Sequence, residues 1–137
     1  AVVHHPHIEI KTSESRVILP KAVDLKTASD QLASIGGFIH SLHTADYDLM
    51  KIVINDYFVE QYRSEHVPFF KQIKNISESK NVICCSISGS GPSVFSLVEG
   101  KNMAKKLKSI YDEVYIKNSV EFNSYVTPLN AKGVRAV

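Results

Sequence analysis

The sequence has no tryptophan, only two cysteines and two methionines, and five prolines among its 137 residues. It also lacks a charge excess: 16 Lys plus Arg stand against 14 Asp plus Glu, a formal net charge of +2. A balance that even gives no electrostatic reason to expect a nucleic-acid or membrane-surface partner. No apolar run approaches the roughly 20 residues that cross a bilayer, and no signal peptide is visible. Repeats, low-complexity tracts and linkers are missing, so the chain reads as one unit. The composition, 44% hydrophobic and 22% charged, excludes disordered and fibrous classes. The length is enough to bury roughly two-thirds of the unfolded surface. Cys84 and Cys85 are adjacent, and neighbouring cysteines rarely bridge because the bond strains a single peptide unit. They read as two reduced core thiols, which suits a reducing cytoplasm. The start, Ala1-Val2-Val3 without a methionine, reads as the interior of a longer protein.

Periodicity sets the expected elements. His7-Ile8-Glu9-Ile10-Lys11 alternates apolar and polar, the period of a half-buried strand. Thr12-Ser13-Glu14-Ser15 offers a hydroxyl followed by an acid, a helix start, and that short helix should end near Leu19-Pro20. From about 24 to 43, Leu25, Ala28, Leu32, Ile35, Ile39 and Leu42 recur at spacings of three and four, an amphipathic helix with one apolar stripe. Gly36-Gly37 inside it cost about 1 kcal/mol each against alanine and would permit a close neighbour. Helix patterns resume at about 45–55 and 65–79, the latter with Val67, Phe70, Ile73 and Ile76 on one face. The period then changes. Residues 82–87 and 93–98 read as strands joined by Ser88-Gly89-Ser90-Gly91-Pro92, a helix follows at about 102–113, and 122–126 and 134–137 close as strands. The sum is an α+β sandwich, helices laid on one face of a mainly antiparallel sheet.

Three features could carry chemistry. The turn Ser88-Gly89-Ser90-Gly91 can aim successive backbone N–H groups into one anion-attracting nest; the plainer reading is a glycine-rich turn between strands. It is neither a Walker A loop nor a dinucleotide fingerprint nor a nucleophile elbow. Arg16 lies one turn after Thr12, so a hydroxyl and a guanidinium could face one ligand, and Arg63 is a second candidate grip for a carboxylate. Any one arginine is by default a solvated surface charge. His4-His5-Pro6-His7 is a weak metal candidate, lacking ligands at recurring spacing, and reads better as an edge strand with exposed imidazoles. No metal ligand set is assigned, and His40, His43 and His66 are left without a role.

Ile87 to Leu97 resembles the third, C-terminal glycine-rich motif of the GHMP small-molecule kinases. Three further stretches resemble the homoserine kinases within that superfamily: Lys11 to Pro20, with its Thr, Arg and closing Leu-Pro; Gln61 to Phe70, with Tyr62-Arg63; and Asn130 to Val137, with Gly133-Val134-Arg135. The four stretches stand in the family's order and cover nearly the whole chain. The resemblance implies a ferredoxin-like C-terminal domain over residues 1–137 that closes a cleft against an N-terminal ATP-binding domain, whose glycine-serine loop nothing here matches. It further implies ATP and Mg²⁺ as the phosphoryl system, L-homoserine as acceptor and O-phospho-L-homoserine as product, on the route to threonine. Thr12 and Arg16 match positions near the homoserine, Arg63 matches the arginine on its carboxylate, and Ser88, Gly89, Ser90 and Gly91 match the loop beside the phosphates. No catalytic base is implied. Asn130 and Lys132 stand where the family more often has an acid before Gly-x-Arg. Two rival readings stay open: a ferredoxin-like amino-acid-binding regulatory domain, and the C-terminal domain of a mevalonate-type kinase. The chain alone should not turn over. Apolar surface left by a missing domain contact would favour self-association, a homodimer included.

Overall fold

Val2, His4 and Pro6 turn inward while His5 faces water, the period-two pattern of strand β1 (Val2–Pro6). The computed structural model describes residues 1–80, 82–130 and 132–133. After β1 come helices α1 (Thr12–Val17), α2 (Leu25–Thr44), α3 (Tyr47–Val53), α4 (Glu60–Arg63) and α5 (Phe70–Ser79). The hairpin of β2 (Cys84–Ile87) and β3 (Val94–Leu97), helix α6 (Lys101–Lys117) and β4 (Phe122–Val126) complete the chain. The sheet order is β2-β3-β1-β4, every neighbouring pair antiparallel. That is the βαββαβ ferredoxin-like order, with α1 to α5 inserted in the first connection. No helix among the described residues is long and apolar enough to cross a membrane.

The core lies between the sheet and the helices α5 and α6, which pack on β2 and on β1 and β4 respectively. Val2, Val94, Phe70, Ile73, Leu107 and Tyr115 meet there. The buried Tyr111 hydroxyl is satisfied by Ser96 Oγ at 3.0 Å and by Ser77. Burying an unpaired hydroxyl would be costly, so these two serines let a tyrosine sit where a phenylalanine is the simpler choice. Cys84 and Cys85 are free and buried as expected, and burial pushes the Cys84 thiol up to about 11, an unreactive state.

Several sequence expectations need correction. The strand expected at His7–Lys11 is a loop, because Ile8 N–H donates back to the Pro6 carbonyl at 2.8 Å and turns the chain off the sheet. The strand sits five residues earlier and is interior, between β3 and β4, not at an edge. Only His5 and His7 of its imidazoles are exposed. Where a helix is expected over 65–79, the chain completes a 3₁₀ turn at Ser64–His66 and starts α5 only at Phe70. Pro68 lacks an N–H and drives Val67 out of the helical region, which explains the break. The closing strand at 134–137 lies outside the described residues.

The apolar stripe of α2 is present but faces outward. Leu25 is 83% exposed and Leu32 70%, with Ile35, Ile39 and Leu42 also exposed. The buried residues of α2 are Ser34 and Ser41, and its main neighbour is α3. Gly37 is what allows that contact: a Cβ there would lie 2.8 Å from Val53 Cγ1.

His4 is 1% exposed, stacked on Tyr115, with Nε2 2.8 Å from Asp112 Oδ1. Lys108 Nζ donates to the other oxygen of Asp112 at 2.6 Å. Burial lowers the His4 pKa and outweighs the raising effect of Asp112. The unfolded chain, with the ordinary histidine value of about 6.5, binds that proton more readily. His4 therefore contributes stability above that pH, and the contribution is lost as pH falls toward the depressed folded value. The urea midpoint should drop between about pH 7.5 and pH 5.5, and His4→Gln should flatten that slope. The same slope in the variant would contradict the assignment.

Candidate functional site

The turn between β2 and β3 is the centre on which separate elements converge. Its geometry follows from the two glycines: Gly89 has φ +61° and Gly91 φ +83°, a region that side-chain-bearing residues enter at a cost. Gly91 is also confined, since a Cβ would come within 3.0 Å of Val67 Cγ2. Ser88 N–H donates to the Ser93 carbonyl at 2.8 Å and Gly91 N–H to the Ser88 carbonyl at 3.1 Å, closing the turn. The nest is therefore smaller than the sequence implied. Of the amides from Ser88 to Gly91, those of Gly89 and Ser90 have no acceptor among the described residues.

The outward carbonyls of the turn are held by two helices distant in sequence. Arg63, the last residue of α4, donates from Nη1 to the Gly89 carbonyl at 2.6 Å. Ser15, the buried residue of α1, lies with Oγ 3.5 Å from the next carbonyl, Ser90. Helical spacing puts Thr12, Ser15 and Arg16 within about 100° of arc on α1. Thr12 and Arg16 thus lie to one side of the serine that meets the turn, on the same face, and both are exposed. The structure brings α1, α4 and the 88–91 turn together, and these carry every site residue the sequence singled out. Asn130 and Lys132 are exposed and bond to each other, Lys132 N–H donating to Asn130 Oδ1 at 3.0 Å.

Arg63 has an unusual electrostatic position. It is half-buried, and its Nε is enclosed with no acceptor among the described residues. The two carboxylates nearest in sequence are engaged elsewhere: Glu65 pairs with Lys71, and Glu60 pairs with Lys74. Among the described residues the guanidinium is compensated only by a neutral carbonyl, with outer N–H groups left to give. A partly desolvated cation in that state is a natural acceptor for an anion, above all a carboxylate that can be gripped by two N–H groups.

Sequence reasoning missed Ser15 and the group around Glu60. Glu60 Oε2 accepts from Ser86 Oγ at 2.7 Å, and Oε1 pairs with Lys74 Nζ. This ties α4 to β2 and α5. For Ser15 a signal existed, three residues from Thr12 on the same face. For Glu60, Lys74 and Ser86 there was none, since the partners stand 14 and 26 residues away on other elements, where local periodicity carries no pairing information.

Among the described residues there is no group of three or more His, Cys, Asp or Glu placed to hold a metal ion. His5 Nδ1 is bonded to Ser93 Oγ at 2.8 Å, and His4 is taken by Asp112.

Comparison with known proteins gives the same architecture a lineage. Residues 38–117 match the family model described as GHMP kinases C terminal, a stretch that includes Arg63 and the whole 88–91 turn. A homoserine kinase of Chlorobaculum tepidum is 33% identical over 135 residues, 97% of this chain and 42% of the relative. One from Buchnera aphidicola subsp. Acyrthosiphon pisum is 31% identical over 136 residues, 99% of this chain and 44% of the relative. The crystal structure of homoserine kinase from Cytophaga hutchinsonii superposes with a TM-score of 0.90 at 32% identity, over 94% of this chain and 41% of that one. The chain thus spans about two-fifths of the length of the relatives it matches, α1 included. The match over more than half of the chain, joined to the ferredoxin-like sheet and its glycine turn, establishes that this protein belongs to the GHMP kinase family as its C-terminal domain.

Proposed function

We propose that this chain is the C-terminal, substrate-side domain of a homoserine kinase, residues 1–137 forming one unit that works beside an N-terminal ATP-binding domain. The reaction is transfer of the γ-phosphoryl group of ATP to the side-chain hydroxyl of L-homoserine, giving O-phospho-L-homoserine on the route to threonine. The observation that carries this reading is Arg63: half-buried, without a carboxylate counter-charge among the described residues, at the edge of the glycine turn. Its outer N–H groups take the amino-acid carboxylate, and Arg16 and Thr12, presented by α1 on the neighbouring carbonyl, complete the grip. Fixing the acid end orients the distal hydroxyl toward the phosphoryl donor. Phosphoryl transfer depends on such positioning and on charge stabilisation more than on covalent help.

The fit to ATP is partial. The free Gly89 and Ser90 amides can border a phosphate tail, as one wall of a site completed elsewhere. ATP supplies the transferable phosphoryl group. The described residues do not fit Mg²⁺: Glu60 is committed to Lys74 and Ser86, and no ligand cluster stands in the described chain. Both would be held by the N-terminal domain. The outward leucine and isoleucine face of α2 is consistent with a domain that normally lies against more protein.

The test is a coupled ADP assay on the longer kinase and on this chain alone, each with homoserine and ATP. The longer protein should turn over homoserine in preference to amino alcohols lacking the carboxylate, and the isolated chain should give no ADP above background. Turnover by the isolated chain, or indifference to the carboxylate, would refute the reading.

A further inference from the structure

Glu60 and Arg63 stand three residues apart on one short helix, the spacing at which opposite charges normally find each other. Here they do not pair. The Glu60 side chain is 15% exposed, and its carboxylate is held by Lys74 of α5 and by Ser86 of β2. Arg63 donates instead to the Gly89 carbonyl. Glu60, Ser64 and Lys74 line an open cleft of about 320 Å³, so the Glu60 side chain has room to change rotamer if released.

We infer that Lys74 and Ser86 are positioning residues that sequester the Glu60 carboxylate and so keep the Arg63 guanidinium free for a ligand carboxylate. The inference rests on the proposed homoserine reading for the identity of that ligand, but its geometry does not. Glu60 is the internal competitor: a carboxylate tethered to the same helix has a high effective concentration and would outcompete a dissolved amino acid for the same N–H groups. Lys74 neutralises it and Ser86 orients it. Neither residue touches the substrate.

The test uses the longer kinase with four variants: Lys74→Met, Glu60→Gln, the combination of the two, and Arg63→Ala. Lys74→Met should raise the homoserine KM about tenfold, the scale of one charge-assisted contact, with the ATP KM within about twofold. Glu60→Gln should stay close to the parent enzyme, because the amide oxygen still accepts from Ser86 and no negative charge is created. The combined variant should recover most of the homoserine KM, because nothing remains to compete for Arg63. A support role for Lys74 in folding alone would show no such rescue. An unchanged KM in Lys74→Met, or a combined variant as impaired as Lys74→Met, would overturn the inference. If Lys74→Met does not fold, Ser86→Ala loosens the same carboxylate by removing one hydroxyl, and the same rise with rescue by Glu60→Gln is required.

The side-chain N–H signals of Arg63 in a ¹⁵N-labelled protein separate this from the substrate reading. They should shift in Lys74→Met and return in the combined variant, whatever the substrate. Signals that do not move overturn the sequestration. Signals that move and return, with homoserine kinetics unaffected by Arg63→Ala, support the sequestration and refute homoserine as the ligand.

Discussion

Replacing Arg63 with alanine in the longer kinase should lower kcat/KM for homoserine by roughly 10- to 150-fold, the equivalent of one charge-assisted contact at about 1.5–3 kcal/mol. The ATP KM should change by no more than about twofold. The asymmetry is the informative part. Arg63 Nη1 reaches the Gly89 carbonyl at 2.6 Å, so the substitution also removes a brace from the turn. A general loss of turn order would impair ATP and homoserine use together, whereas loss of the carboxylate grip falls on homoserine alone. Arg63→Lys should recover only part of the loss, because a point charge cannot reproduce a planar fork that holds both the carbonyl and the ligand. Steady-state kinetics with both substrates varied give the answer. Equal effects on the two substrates would make Arg63 a structural residue.

The second large effect is expected at Gly91. Alanine there must adopt φ +83° and place its Cβ 3.0 Å from Val67 Cγ2, a buried side chain with little freedom to withdraw. The left-handed conformation costs about 1–2 kcal/mol and the overlap adds to it. The longer kinase should lose about 2 kcal/mol of stability, a melting temperature lower by several degrees. Its homoserine kcat/KM should fall as well, because the Gly89 and Ser90 carbonyls that anchor α4 and α1 lie in the same turn. Gly89→Ala is the internal control: its φ of +61° carries a similar backbone cost, but a Cβ there meets nothing within 4 Å. It should be the milder of the two. Equal stability and kinetics in parent and Gly91→Ala would show that the turn tolerates rearrangement and does not position the site.

The sequence made the local elements legible and left the long-range ones hidden. The start of α1 at Thr12, the start of α2 beside residue 24 and the strand β4 at Phe122–Val126 were readable because each is set by neighbours within a few residues. The strand β1 was misplaced because alternation runs on through His7–Lys11, and period alone cannot tell which stretch has partners on both sides. His4 shows the difficulty most clearly: a histidine in a His-rich opening reads as solvent-facing, yet Asp112 and Lys108, more than a hundred residues on, make its burial tolerable. The stripe on α2 is apolar as its spacing indicates, but spacing alone does not say what covers it. Its Leu and Ile side chains face outward while Ser34 and Ser41 are covered. At the site, Arg63, Arg16, Thr12 and the glycine turn were named from motif likeness. The contact that gives Arg63 its isolation, Glu60 with Lys74 and Ser86, depends on tertiary placement of three unremarkable polar residues.

The most direct test pairs a change in the protein with a change in the ligand. The kcat/KM ratio of homoserine to its carboxamide, which keeps the hydroxyl and amine but loses the negative charge, is measured in the longer kinase and in Arg63→Ala. A preference for the acid of at least about tenfold in the parent that collapses toward unity in the variant places the carboxylate on Arg63. A preference that survives the loss of Arg63 unchanged means that the acid is held elsewhere, and the site proposed at the glycine turn is wrong.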